Sequence, residues 1–277
     1  MILNLIGCDM TDSTPLNKPD IKIGTSGYSY EDWRGAFYPS DLPANKMLEY
    51  YTRYFQTVEL NATYYTIPKI NTFQRLAEKT PAQFEFIVKV HQETTHRRKE
   101  NDKVIRQLLE AVKPLIDHNK LHGFLAQFPY SFKNNEENRR YLVQTKSLLG
   151  DHPMFVEFRN YTWLSSSLHD FLKENNIGYV NVDEPRLKGL LPKQDLVTNK
   201  IGYIRMHGRN EKDWWDGQGS ARYDYEYNEP ELKEWLIHIS NILKKTFKSY
   251  IFFNNHPTGK AVKNAEQMME ILKSQLP

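Results

Sequence analysis

MFVEFRN, residues 154–160, alternates in the manner of a β-strand, with Val156 and Phe158 on one face and Glu157 and Arg159 on the other. Two opposite charges on one face of an interior strand say little alone. They become informative if other strands end the same way. Val58 and Leu60 stand opposite Glu59 and Asn61, and Val88 and Val90 stand opposite Lys89 and His91. Val180 and Val182 alternate with Asn181 and Asp183, Ile204 and Met206 with Arg205 and His207, and Ile251 and Phe253 with Asn254. The fourth strand alternates less clearly, but Leu125 and Gln127 share a face.

Between these strands lie segments with helical periodicity, including ANKMLEYYTRYF, NDKVIRQLLEAVKPLIDHN, EPELKEWLIHISNILKKTF and GKAVKNAEQMMEILKSQ. Pro114 is expected to interrupt the second of these, and Pro230 suits the first turn of the third. Eight strand–helix units in about 250 residues match a (β/α)8 TIM-type barrel, an α/β fold, with an open doubly wound sheet as the competitor. The exception is Glu184 to Lys200, which joins the sixth and seventh strands without a convincing helix. Residues 20–277 read as one barrel domain, and residues 1–19 as a leader packed on the barrel or poorly ordered.

In a TIM barrel the apolar set suits the helix-covered side, and the polar set then points inward at the carboxyl ends of the strands, where active sites of this fold are built. A paired network plugging the core is the competing explanation, because buried charge is tolerated when matched and hydrogen-bonded. Support rather than ligand contact is an equal prospect for Asn181, Gln127 and Lys89. GTSGYSY, residues 24–30, reads equally as an anion-binding turn or a plain tight turn. The Trp- and Tyr-rich stretch HGRNEKDWWDGQGSARYDYEYNE after the seventh strand suits either a pocket cap or local packing. His96, beside Arg97 and Arg98, reads as a solvated basic helix start.

Composition bounds the rest. The chain has 277 residues, 39% hydrophobic, enough for a large core. A formal charge of +3 without a concentrated basic stripe makes nucleic acid an unlikely partner. Cys8 stands alone, which excludes an internal disulfide and a cysteine-rich metal site. The opening residues lack a secretion signal and no apolar run reaches membrane-spanning length, so a cytoplasmic protein without a membrane partner is the expectation. Oligomeric state is not legible.

Several stretches together resemble the DUF72 family, also called YecE-like, a group of uncharacterised barrel proteins. They include GTSGYSYEDWRGAFYP, YYTRYFQTVELNATYY, FEFIVKV, AQFPYSF, VEFRNYTW, VDEP, YIRMHGR and NNHPTGKAVKNA, and they run through nearly the whole chain. The resemblance implies a TIM-type barrel and places the family's polar residues on Glu59, Asn61, Lys89, Gln127, Glu157, Arg159, Asp183, Arg205, His207, Gly208, Asn254, Asn255 and His256. Tyr130 stands where the family often has a second proline, and Asn160 where it often has a histidine.

These residue types suit acid/base chemistry, hydrolysis or isomerisation, on a small polar ligand such as a phosphorylated or acidic sugar. Glu59 and Glu157 are the expected catalytic carboxylates, with His207 as a proton relay. Lys89, Arg159 and Arg205 would clamp ligand oxygens, with Asn61, Gln127, Asp183, Asn254 and Asn255 as further contacts. Three acids, Glu59, Glu157 and Asp183, balance those three bases and favour a zwitterionic or mixed ligand. No cofactor is expected. A divalent metal enzyme is the alternative, with Glu59, Glu157, Asp183 and His207 presenting donors for Mg²⁺, Mn²⁺ or Zn²⁺. A non-catalytic sensor or carrier would use the same pocket residues.

Overall fold

The computed structural model describes residues 20–217 and 219–275. The proposed leader, residues 1–19, lies outside them. Nine parallel strand segments make eight staves: β1 (Asp20–Thr25), β2 (Thr57–Leu60), β3 (Glu85–Lys89), β4 (Leu121–Gln127), β5 (Met154–Glu157), β6 (Ile177–Tyr179), β7 (Asn181–Asp183), β8 (Ile201–Met206) and β9 (Lys248–Phe253). The sixth stave is broken at Val180, so that β6 pairs with β5 and β7 pairs with β8.

The ladders form two sheets, β2-β3-β4-β5-β6 and β7-β8-β9-β1, rather than one continuous ring. One boundary between them is the broken stave. At the other, β1 and β2 meet through a single bridge between Ser26 and Glu59, supported by the Gly27 amide donating to the Glu59 carbonyl at 2.8 Å. Gly24 sits at this seam, where a Cβ would collide with the Thr57 carbonyl. Gly24→Ala should therefore cost ~1–3 kcal/mol through backbone displacement, and thermal melting of the variant checks it.

Helices α1 (Met47–Tyr51), α2 (Ile70–Glu78), α3 (Asn101–Asp117), α4 (Glu136–Leu148) and α5 (Leu168–Glu174) follow the first five staves. The helices α6 (Glu229–Lys233) and α7 (Leu236–Leu243) follow β8, and α8 (Lys260–Gln275) follows β9. The architecture is the TIM-type α/β fold, with no helix between β7 and β8. Pro114 does not end α3; it lies buried in the last turns, and the helix continues to Asp117. Pro230 occupies the first turn of α6, beside a capping box made by Asn228 and Glu231.

Register fixes which side chains face inward, since paired residues of parallel neighbours lie on the same side. Phe155 pairs with Gly178, Val182 with Arg205, and Arg205 with Phe252. An aromatic layer of Phe155, Tyr203, Tyr250 and Phe252 fills the lower interior, with Phe155 and Tyr203 ring centres 4.8 Å apart. The Tyr250 hydroxyl reaches down to Glu85 and the Tyr203 hydroxyl reaches up to Glu59, both at 2.6 Å. The charged layer above rests on this aromatic floor.

Candidate functional site

Arg205 sits at the centre of the charged layer, 1% exposed. It donates from Nη1 to Glu157 Oε2 at 2.6 Å and from Nη2 to Glu59 Oε1 at 2.7 Å. Glu59 also accepts from Ser26 Oγ at 2.7 Å and from the Tyr203 hydroxyl. Glu157 also pairs with Arg159 Nη2 at 2.7 Å and lies 3.1 Å from His207 Nε2. The two carboxylates are fully buried. They do not face each other across a pocket as expected from sequence: one guanidinium bridges them beneath it.

Electrostatics follows from this packing. Burial opposes the charge on Glu157, but Arg159 and Arg205 outweigh it and hold the carboxyl well below its usual range. Burial first, then the charge of Arg159, lowers His207 to about 3, so its ring is neutral at physiological pH. Asn254 Nδ2 lies 3.0 Å from His207 Nδ1, and Nε2 lies 3.1 Å from both Glu157 Oε1 and Arg159 Nη2. The expected proton relay through His207 near neutral pH is therefore corrected: the ring holds Glu157 and Asn254 in place.

The cavity lies above. It has a volume of about 310 Å³ and a floor formed by Lys89, Gln127 and Arg159. Lys89 Nζ donates to Gln127 Oε1 at 3.1 Å and lies 4.7 Å from the Tyr64 ring centre. Burial first, then the neighbouring Arg205 charge, brings this amine down to about 7. Arg159 donates from Nη1 to Glu184 Oε2 at 2.8 Å and packs its guanidinium 5.2 Å from the Trp214 ring centre. Burial raises Glu184 to about 7, against the opposing pull of Arg159.

Aromatic side chains make the walls. Tyr64 and Tyr65 follow β2, Tyr130 follows β4, and Trp214, Trp215 and Tyr223 come from the long loop after β8. Tyr130 and Trp215 meet edge to face at 5.1 Å. Arg222 and Leu190 also line the space. The aromatic stretch thus caps a pocket, and Trp214 is packed beneath it as well. His96 also lines the cavity, edge to face with Tyr64 at 5.1 Å, rather than standing in solvent. Among the described lining residues there is no carboxylate. The balance of three acids and three bases stops below the floor, and the cavity itself presents cations.

The sixth stave overturns two further expectations. Its inward residues are Gly178, Val180, Val182 and Glu184, so Asn181 and Asp183 face outward. Asp183 accepts from the Tyr227 hydroxyl at 2.8 Å, from Trp235 Nε1 at 2.7 Å and from Arg209 through two bonds. Asn181 accepts from the Leu196 amide and donates to the Leu196 carbonyl. Asn255, expected to touch ligand, instead donates to Asn264 of α8 and to the Tyr225 carbonyl. Asn254 is held beneath the cavity by His207, and Asn61 has a buried Oδ1 without a hydrogen-bond partner.

Gly208 has φ 91° and donates its amide to Tyr227, while His256 stacks on Tyr30 with ring centres 4.5 Å apart. The amides of Ser26 and Gly27 are spent on Phe253 and Glu59 at the seam, so neither is open to an anion. With Asp183 turned away and Arg205 wedged between Glu59 and Glu157, the four donors named for a divalent ion do not assemble. Among the described residues, no cluster of three or more His, Cys, Asp or Glu side chains is placed to hold a metal ion.

Sequence reading passed over Glu184, Tyr64, Tyr65, Tyr130, Leu190 and Arg222. Glu184 was the most accessible of these, because it continues the inward face of Val180 and Val182 by two residues.

Fold and site together define a TIM-type barrel protein whose carboxyl-terminal mouth holds a cationic cavity under an aromatic canopy. The chain belongs to the family described as protein of unknown function DUF72, whose model matches residues 22–277. It is 33% identical over 270 residues to the UPF0759 protein YunF of Bacillus subtilis (strain 168), covering 91% of this chain and 94% of that protein. A DUF72 family protein from Thermotoga maritima MSB8 is 38% identical, with a TM-score of 0.85 over 92% of this chain and 99% of the other. A second, from Enterococcus faecalis V583, is 27% identical, with a TM-score of 0.79 over 92% and 98%. Among the described residues no helix is long and apolar enough to cross a membrane.

Proposed function

We propose that the chain is an acid/base enzyme, an isomerase or hydrolase, acting on a small anionic molecule with a flat or ring face, such as a phosphorylated or acidic sugar. One observation carries this reading: Lys89 and Arg159 emerge at the floor of an aromatic-walled cavity while the carboxylates of the same layer stay sealed below it. Arginine's fork suits carboxylate or phosphate oxygens, and the aromatic faces suit a ring. The amine of Lys89, at about 7, is the proton-exchanging group on the cavity surface. This moves the acid/base role from Glu59, Glu157 and His207 to Lys89. The buried glutamates fix the positions of Arg159 and Arg205.

Thermal melting with glucose 6-phosphate, glucuronate and glucose tests the reading. An anionic sugar at ~100 times its Kd should stabilise the fold by ~2.7 kcal/mol, whereas glucose should leave it unchanged. Arg222, a cavity residue that is not part of the buried network, gives a variant with little folding penalty. Arg222→Ala should weaken the anionic ligand roughly tenfold, as expected for one lost charge-assisted hydrogen bond, with the ligand-free melting temperature unchanged. Equal shifts from charged and neutral sugars would overturn the reading. Product analysis by NMR then separates turnover from the simple retention expected of a carrier.

A further inference from the structure

We infer that Lys89 is a covalent site, its amine placed to condense with the carbonyl carbon of a small anionic compound whose flat face lies on the aromatic wall. This inference rests on the reading of the cavity as an anion site and names the reactive group of the ligand. Its basis is the unusual freedom of this lysine. Among the described residues Lys89 has no carboxylate within ion-pair distance, and Gln127 Oε1 is its one hydrogen-bond partner. The other interior cations are committed: Arg205 to two glutamates, Arg159 to Glu157 and Glu184, and Lys248 to Glu85. Lys120, also buried, is fixed by the Ala77 carbonyl and by both oxygens of Thr80.

An amine held by a neutral amide and a ring face can leave both to attack a ligand without stranding a buried carboxylate. Desolvation and neighbouring positive charge are the means by which a lysine becomes a nucleophile at neutral pH, and Lys89 has both, with its amine lowered to about 7. The Nζ lone pair adds to the carbonyl carbon as the C=O π pair moves onto oxygen. One N–H proton passes to that oxygen, giving a carbinolamine. The hydroxyl then leaves with the second N–H proton as water, and the C=N bond forms. The sequence is redox-neutral and needs no co-reactant. Arg222 lines the same cavity for the ligand's anionic group, beside Arg159, which keeps its carboxylate partners Glu157 and Glu184.

Pyridoxal 5′-phosphate, an anionic ring aldehyde, serves as the probe. It is added below stoichiometry near neutral pH, reduced with borohydride, and the sites are mapped by peptide mass. The Lys89 peptide should gain the mass of the probe less one oxygen, with labelling ~10-fold or more above exposed lysines such as Lys99 and Lys103. Pyridoxal without the phosphate should label Lys89 weakly. Labelling spread over exposed lysines, with Lys89 no higher than they are, overturns the inference. Pyridoxine 5′-phosphate, which lacks the aldehyde, separates the two failures. If it raises the melting temperature while Lys89 stays unlabelled by the aldehyde, the anion cavity stands and the covalent step is wrong. If it gives no shift and the aldehyde gives no selective label, both are wrong.

Discussion

Arg205→Met should lower the melting temperature by roughly 10 °C. Methionine fills part of the guanidinium's volume but donates no hydrogen bond, leaving Glu59 and Glu157 each short of a cation in a layer closed to water. Removing one partner of a buried ionic network typically costs ~3–5 kcal/mol, and ~1 kcal/mol moves the midpoint of a chain this large by about 2–4 °C. A double variant provides the control. Glu59→Gln combined with Arg205→Met removes one stranded charge and should recover part of the loss, whereas unrelated sites would simply add.

A pH signature accompanies the effect. Glu157 is held below its ordinary range, so its contribution is fully present above the unfolded carboxylate value and is lost as pH falls through the lower folded value. Without Arg205 the folded value rises, and acid unfolding, followed by tryptophan fluorescence, should begin at higher pH. An unchanged melting temperature and acid midpoint in Arg205→Met would show that the bridge contributes nothing to the fold.

The eight staves and the missing helix after the sixth were legible because period-two alternation and helical periodicity are local properties of the chain. The inward direction of Glu59, Lys89, Glu157, Arg159, Arg205 and His207 was legible for the same reason, since each alternates with residues suited to a helix-covered face. The rule failed on the sixth stave because its premise failed there. A helix satisfies its own backbone and offers apolar side chains to the sheet, but the irregular segment after β7 carries amides and carbonyls that need partners. Asn181 supplies them to Leu196, while Thr198 of the segment bonds back to the β6 backbone at Ile177 and Tyr179. Polarity therefore moved to the outer face, and Val180 and Val182 turned inward.

What alternation could not supply was depth. Glu157 and Arg159 share a face two residues apart, and that step separates a sealed carboxylate from a guanidinium at the cavity floor. Asn255 shows the same limit at the end of β9, where the chain beyond the strand turns its side chain to α8. The canopy residues come from loops of different staves, and their convergence depends on the spatial order of the staves.

Lys89→Met should reduce turnover of an anionic ligand found by thermal melting by ~10²–10⁴-fold, the usual contribution of a positioned acid/base group, while KM changes by less than about threefold because Arg159 and Arg222 still hold the anion. Lys89→Arg should be equally inactive, since its guanidinium keeps a charge at this position but cannot give up the proton. Burial and the neighbouring Arg205 place the amine at about 7. In the parent protein kcat/KM should therefore climb ~10-fold per pH unit on the acid side and level off above this value. Methionine also removes a cation facing Tyr64, so melting temperature must be read alongside the rate. A variant that melts like the parent and loses only kcat separates chemistry from packing. A Lys89→Met protein retaining more than about a tenth of parental turnover, or a parental profile flat through pH 7, would overturn Lys89 as the acid/base group, and Glu59 and Glu157 could not replace it because they are committed to Arg205 beneath the cavity.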